Sequence, residues 1–219
     1  MTENFLEKVA ILIDFDGTIT KKDSNDLLME KLLSNRFEEI SQREEDLNFM
    51  DFFSSLFNEI NMTEEEYLEF ILKEVELSEG FYEFYKKAKS YNIPLAVVSG
   101  GFVNGIVPFL KKHGIEDIDV FANRLNFEGD KVVIEYYHNI DDCCEIGSCG
   151  NCKVLHYQSY KRDNFNVIFI GDGITDRSVA SKADIVFAKD GLLKYCNENN
   201  IDCIPWNDFD DISRIIFKE

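Results

Sequence analysis

The sequence predicts an α/β fold: a Rossmann-like core of parallel strands that carries an inserted all-helical subdomain. Three observations predict it. Short apolar runs without alternation recur at 9–13, 93–98 and 166–170, the pattern of strands buried on both faces of a parallel sheet. Amphipathic helical stretches separate the later runs. Between the first two runs lie about sixty residues of helical periodicity, far more than a strand-to-strand crossover needs.

Each element has its own signal. Val9-Ala10-Ile11-Leu12-Ile13 runs straight into Asp14-Phe15-Asp16-Gly17-Thr18, so a buried strand ends in two carboxylates and a glycine that permits a sharp turn. Asp23, Ser24 and Asn25 offer helix caps before Leu27, Leu28, Leu32 and Leu33. Phe49, Phe52, Phe53, Leu56, Phe57 and Ile60 continue the helical spacing and read as core. Thr63 with Glu66 three residues on is a capping box that opens a further helix through Tyr67, Leu68, Ile71 and Leu72. A helix is expected over 79–92, then a strand over 93–98 that ends before Ser99-Gly100-Gly101, then a helix over 103–113. Runs 121–127 and 131–136 flank Glu128-Gly129-Asp130 and read as a hairpin. A helix over 154–162 follows Lys153. Strand 166–170 leads into Gly171-Asp172-Gly173-Ile174-Thr175-Asp176, strands are expected at 183–188 and 203–206, and a helix at 209–217 closes the chain. The division is 1–20 and 79–219 for the core and 21–78 for a helical cap placed over the strand tips.

The charge narrows the partners. At a formal −19 over 219 residues there is no basic excess for a nucleic-acid backbone or an anionic membrane surface. Residues 1–8 lack the basic start and apolar core of a signal peptide, and no apolar run approaches the ~20 residues that span a bilayer. A cytoplasmic location is expected, and there the six cysteines are thiols. Oligomeric state leaves no trace in the sequence.

The chemistry sits at the strand ends, where open α/β sheets bind ligands. Asp14 and Asp16 repel each other by about 1 kcal/mol at ~4 Å in water, and by more where water is excluded. A hard divalent cation such as Mg²⁺ removes that conflict. One carboxylate then suits a nucleophile that forms an aspartyl-phosphate, the other a proton donor and acceptor. Ser99 offers a hydroxyl, and Gly100 and Gly101 offer accessible N–H groups, a set that suits phosphate oxygens. Taken alone, Asp-x-Asp is more often a solvated turn and Ser-Gly-Gly an ordinary one. In a protein this acidic, an anionic substrate needs locally concentrated positive charge: a metal or a single lysine.

The set Asp14-Phe15-Asp16-Gly17-Thr18, Val97-Val98-Ser99-Gly100-Gly101, Lys153 and Gly171-Asp172-Gly173-Ile174-Thr175-Asp176 resembles the four motifs of the haloacid-dehalogenase-like (HAD) phosphohydrolases. The resemblance implies Asp14 as nucleophile, Asp16 as acid and base, and Thr18, Ser99, Gly100 and Lys153 on the substrate. It also implies Mg²⁺ on Asp14, the Asp16 carbonyl and Asp172, with Asp176 behind or bound through water. The helical insertion is similar to that superfamily's cap of the phosphoserine-phosphatase (C1) type. The cysteine-rich loop before Lys153, with Ala188-Lys189-Asp190-Gly191 and Pro205-Trp206, is similar to the methionine-salvage phosphatases that act on 2-hydroxy-3-keto-5-methylthiopentenyl-1-phosphate. A small phosphorylated metabolite is the expected partner. Phosphoserine is the runner-up: its phosphatases would carry a Glu near Asp23 and a cap arginine, for which Arg36 and Arg43 are the candidates. Phosphocholine-type esters are a further alternative. Cys143, Cys144, Cys149 and Cys152 with His138 also admit a structural Zn²⁺, and with it a non-enzymatic metal-binding module. That module leaves Asp14, Asp16, Lys153 and Asp172 unexplained.

Overall fold

The computed structural model describes residues 8–33, 49–138 and 149–217. Strands β1 (Val9–Ile13), β2 (Leu95–Phe102), β3 (Asp119–Glu128), β4 (Lys131–Glu135), β5 (Asn166–Gly171), β6 (Ile185–Ala188) and β7 (Ile204–Pro205) form one seven-stranded sheet in the order β4-β3-β2-β1-β5-β6-β7. All neighbours are parallel except the β3–β4 hairpin. β1 is central, and all five of its residues are buried. Its side chains alternate between two apolar layers, as a pleated strand requires. Ile11 and Ile13 enter one layer with Val97, Ile168 and Phe187, while Leu12 enters the other with Val98, Phe169 and Val186.

Helices cover both faces. α1 (Ser24–Leu33), α2 (Phe49–Asn58) and α3 (Glu64–Glu74) follow the first strand, then come α4 (Phe81–Ser90) and α5 (Val103–Lys112). After the hairpin the chain forms α6 (Lys153–Arg162), a short α7 (Arg177–Ala180), α8 (Asp190–Glu198) and α9 (Phe209–Phe217). α4 buries Phe81, Phe84, Tyr85 and Ala88, and α9 buries Phe209, Ile212 and Ile216, each set at helical spacing. These join the Ile11 layer, whereas Val154 of α6, Val179 of α7 and Leu192 of α8 join the Leu12 layer. The result is a doubly wound α/β sheet, the class the sequence predicts. Leu28, Phe52, Leu56, Phe57 and Tyr67 of the inserted helices extend the Ile11 layer beyond the sheet.

The structure departs from expectation at β2, at α7 and at α8. β2 does not stop at Val98 but runs through Ser99-Gly100-Gly101 to Phe102. Its pairing with β3 slips there, so those three residues stand against Ala122 alone, between the pairs Val98–Phe121 and Phe102–Asn123. α8 was not expected either. Its fully buried apolar residues are Leu192 and Cys196, a stripe too narrow to stand out in the sequence.

Candidate active site

Because β2, β1 and β5 are adjacent, their carboxyl ends deliver Ser99, Asp14 and Asp172 to one place. The turn after β1 needs Gly17: its φ is +71°, and a Cβ there would lie 2.3 Å from Asp172 Oδ2. Asp14 is 6% exposed. Its Oδ1 accepts from the Phe15 N–H at 2.7 Å and pairs with Lys153 Nζ at 2.8 Å. Lys153, 3% exposed at the start of α6, also meets Asp176 Oδ1 at 2.5 Å. The other oxygen of Asp176 accepts from the N–H groups of Asp172 at 3.0 Å and Gly173 at 2.9 Å. Asp176 thus anchors both the lysine and the loop that carries Asp172.

Asp16 Oδ1 accepts from the N–H of Ser24 at 2.9 Å and from its hydroxyl at 2.5 Å, which ties the first turn of α1 to the strand tip. Asp23 caps that helix, accepting from the N–H groups of Asn25 at 2.8 Å and Asp26 at 3.1 Å. Thr18 is fully buried and gives its hydroxyl to Asp172 Oδ1 at 2.5 Å, so this side chain orients a carboxylate and does not line the cavity.

The electrostatics follow from burying several carboxylates together. Burial, then the charge of Asp176, raises Asp14 well above the usual carboxylate range, against the pull of Lys153. Burial and Asp176 push Asp172 up to about 7. Burial, then the charge of Asp23, pushes Asp16 up to about 8 although Ser24 opposes the rise. Burial alone would lower Lys153, but Asp14 and Asp176 outweigh it and keep the ammonium charged. Oxygens of Asp14, Asp172 and Asp176 lie within 4.8 Å of one another. This donor set fits a hard divalent cation, which would relieve the repulsion that adds to burial in raising Asp14 and Asp172.

Above the strand ends is a cavity of 340 Å³. Asp14, Asp16, Ser99, Gly100 and Asp172 form part of its polar floor, and Phe52, Phe53, Leu56 and Ile174 give it an apolar wall. Asp14, Asp16, Ser99, Gly100 and Asp172 thus meet on one surface, with Lys153 and Asp176 packed behind Asp14. The aromatic wall was read in the sequence as core only. Phe52 and Phe53 are consecutive on α2 (Phe49–Asn58), which widens the apolar arc so that one side meets the core and another the cavity. An arc wider than one packing face was the available signal. Among the described residues no lysine or arginine lines the cavity. Cys149 and Cys152 are buried, and the Cys152 N–H donates to His138 Nδ1 at 3.1 Å. Cys143, Cys144, Arg36 and Arg43 lie outside the described residues.

The haloacid dehalogenase-like hydrolase family model matches residues 11–181. The chain is 33% identical over 208 residues to a 2-hydroxy-3-keto-5-methylthiopentenyl-1-phosphate phosphatase of Bacillus cereus, covering 93% of this chain and 94% of that one. A protein of the same name from Lysinibacillus sphaericus is 30% identical over 215 residues, covering 95% and 94%. Among solved structures, a phosphoserine phosphatase carrying an analogue of its phospho-aspartyl intermediate superposes with a TM-score of 0.71 at 25% identity, covering 95% of this chain and 98% of that one.

Proposed function

The chain belongs to the haloacid dehalogenase-like hydrolases and is a phosphatase; from that premise we propose that it hydrolyses 2-hydroxy-3-keto-5-methylthiopentenyl-1-phosphate in methionine salvage, with Mg²⁺, through an aspartyl-phosphate. The observation that carries the choice of substrate is the wall of Phe52, Phe53, Leu56 and Ile174 facing the carboxylate floor. An uncharged methylthio chain gains from contact with that wall. The carboxylate of phosphoserine would find no cation among the described residues that line the cavity. Asp23 caps α1 (Ser24–Leu33) through Oδ1 and lines the cavity, but its side chain is one methylene shorter than the Glu that a phosphoserine enzyme would place nearby. The relatives named for the methylthiopentenyl ester support the same choice.

In the reaction, Asp14 Oδ2 attacks phosphorus while Oδ1 stays fixed by the Phe15 N–H and Lys153. Asp16, protonated at neutral pH by its buried position, gives its proton to the leaving oxygen. It then takes a proton from the water that hydrolyses the aspartyl-phosphate. Ser99 and the Gly100 N–H hold the phosphoryl oxygens, and the Lys153 ammonium, packed behind Asp14, adds positive charge beside them. Thr18 and Asp176 orient Asp172 and Lys153. Asp14, Asp172 and the Asp16 carbonyl would hold Mg²⁺, which would supply positive charge against the phosphoryl oxygens. In this reading 21–78 is a cap that closes over the substrate and excludes water. The phosphatase relatives leave the non-enzymatic module without support.

We place the enzyme in the cytoplasm, where Cys196 and Cys203 persist as neighbouring thiols and not as a disulfide. No helix among the described residues is long and apolar enough to cross a membrane.

The test is phosphate release from the methylthiopentenyl ester, phosphoserine and phosphocholine, each with Mg²⁺ and with chelator. The expected outcome is Mg²⁺-dependent release with the methylthiopentenyl ester preferred. Preference for phosphoserine would move the substrate to the runner-up, which the fold of the phosphoserine phosphatases favours. Release unaffected by chelator would remove the metal.

A further inference from the structure

At Ser99-Gly100-Gly101 the β2–β3 ladder slips, and two main-chain carbonyls there are bonded by side chains. A buried carbonyl left unpaired is costly, so something must replace the lost ladder bonds. Two buried asparagines do, each 1% exposed. Asn151 Nδ2 donates to the Ser99 carbonyl at 2.8 Å and to the Phe121 carbonyl at 2.8 Å. Asn123 Nδ2 donates to the Gly100 carbonyl at 2.8 Å.

Each amide is locked from its other end. Asn123 Oδ1 accepts from the Tyr137 N–H at 3.0 Å. Asn151 Oδ1 lies 2.7 Å from His156 Nε2. Because Asn151 Nδ2 already serves two carbonyls, its oxygen must be the acceptor, and His156 must carry its proton on Nε2. His156 itself is stacked on Phe121 with ring centroids 4.6 Å apart.

A trans peptide points its C=O and the following N–H in opposite directions. Drawing the Ser99 carbonyl onto Asn151 therefore turns the Gly100 N–H the other way, toward the cavity that Gly100 lines. Drawing the Gly100 carbonyl onto Asn123 orients the Gly101 N–H, which donates to Ser99 Oγ at 2.8 Å. With that lone pair used, the Ser99 hydroxyl keeps its proton for an incoming acceptor. Asn151 also stands two residues before Lys153, so one amide ties the lysine's loop to the Ser99 strand.

We infer that Asn123 and Asn151 are positioning residues for the phosphoryl group, aiming the Gly100 N–H and the Ser99 hydroxyl through main-chain carbonyls without touching substrate. The inference rests on the reading of Ser99 and Gly100 as phosphate holders.

The experiment measures inhibition by inorganic phosphate, kcat and KM for Ser99→Ala, Asn151→Ala, Asn123→Ala and the double variants with Ser99→Ala, in the Mg²⁺-loaded full chain. Ser99→Ala raises the phosphate inhibition constant. Each asparagine variant raises it about three- to tenfold, the loss of roughly one well-placed hydrogen bond. KM rises with it more than kcat falls. In the Ser99→Ala background the asparagine variants add less than they do alone, because part of their effect passes through that hydroxyl. If Ser99→Ala raises the constant and both asparagine variants leave it unchanged, even while lowering the melting temperature, the inference is overturned and the phosphatase reading stands. Full additivity with Ser99→Ala overturns the route through the hydroxyl. An unchanged constant in Ser99→Ala removes Ser99 as a phosphate holder, and the inference with it. The two asparagines come from different elements, so either variant serves if the other does not fold.

Discussion

Asp14 makes two contacts through Oδ1, and Oδ2 has no hydrogen-bond partner among the described residues, so the Asp14→Asn variant separates chemistry from folding. An amide oxygen can still accept from the Phe15 N–H, while the nucleophilic oxygen is lost. Turnover should fall at least about 10⁴-fold. The melting temperature should hold or rise, because a buried carboxyl that resists ionisation has been replaced by a neutral group. Phosphate release together with a thermal melt checks both halves, and surviving turnover would remove Asp14 as nucleophile. Gly17→Ala should cost at least about 1 kcal/mol for left-handed backbone alone. Its methyl would also displace Asp172, so the stabilisation that Mg²⁺ gives the wild type should shrink, as read by melts with and without the ion. At this scale the carboxylates were legible because they end apolar runs beside glycine. The turning of Thr18 toward Asp172 was not, since it depends on a contact 154 residues away. Asn123 and Asn151 were equally silent, because only the slipped ladder gives their amides work.

Among the elements, α3 (Glu64–Glu74) shows how far local chemistry reaches. Its capping box was readable as Thr63 followed by Glu66, and it forms: Glu66 N–H donates to Thr63 Oγ1 at 3.3 Å, and Thr63 N–H to Glu66 Oε2 at 2.8 Å. Thr63→Ala should cost about 1 kcal/mol. For a chain of this size that is a fall of about 2–4 °C in melting temperature. The phosphate inhibition constant should not move, because Thr63 is exposed and does not line the cavity. A shift in that constant would mean that this helix end is coupled to the site. β2 was misjudged at its end for a related reason. Ser-Gly-Gly carries turn chemistry, but pairing beyond it keeps the strand extended to Phe102, and pairing is not written in a local window.

The whole molecule concentrates acid at its centre, and the pH dependence of its stability follows. In the unfolded chain these carboxyls lose their protons near 3.8, whereas in the fold Asp172 holds its proton to about 7 and Asp16 to about 8. A raised folded value means that the contribution to stability is fully present below 3.8 and is lost as pH climbs through 7 to 8. Without a divalent cation, this cluster therefore weakens the fold progressively over that range. A cation held by Asp14 and Asp172 would replace the lost protons and reverse the trend. At ~100 times its dissociation constant it should add about 2.7 kcal/mol, which for a chain of this size raises the melting temperature by roughly 5–10 °C. The rise should be largest near pH 8.5 and smallest near pH 5.5, where protons compete for the same oxygens. Thermal melts with Mg²⁺ and with chelator at the two pH values measure it. A Mg²⁺ effect equal at both would place the ion away from the carboxylates with raised values, and no effect at either would leave their mutual repulsion to be relieved by protons alone.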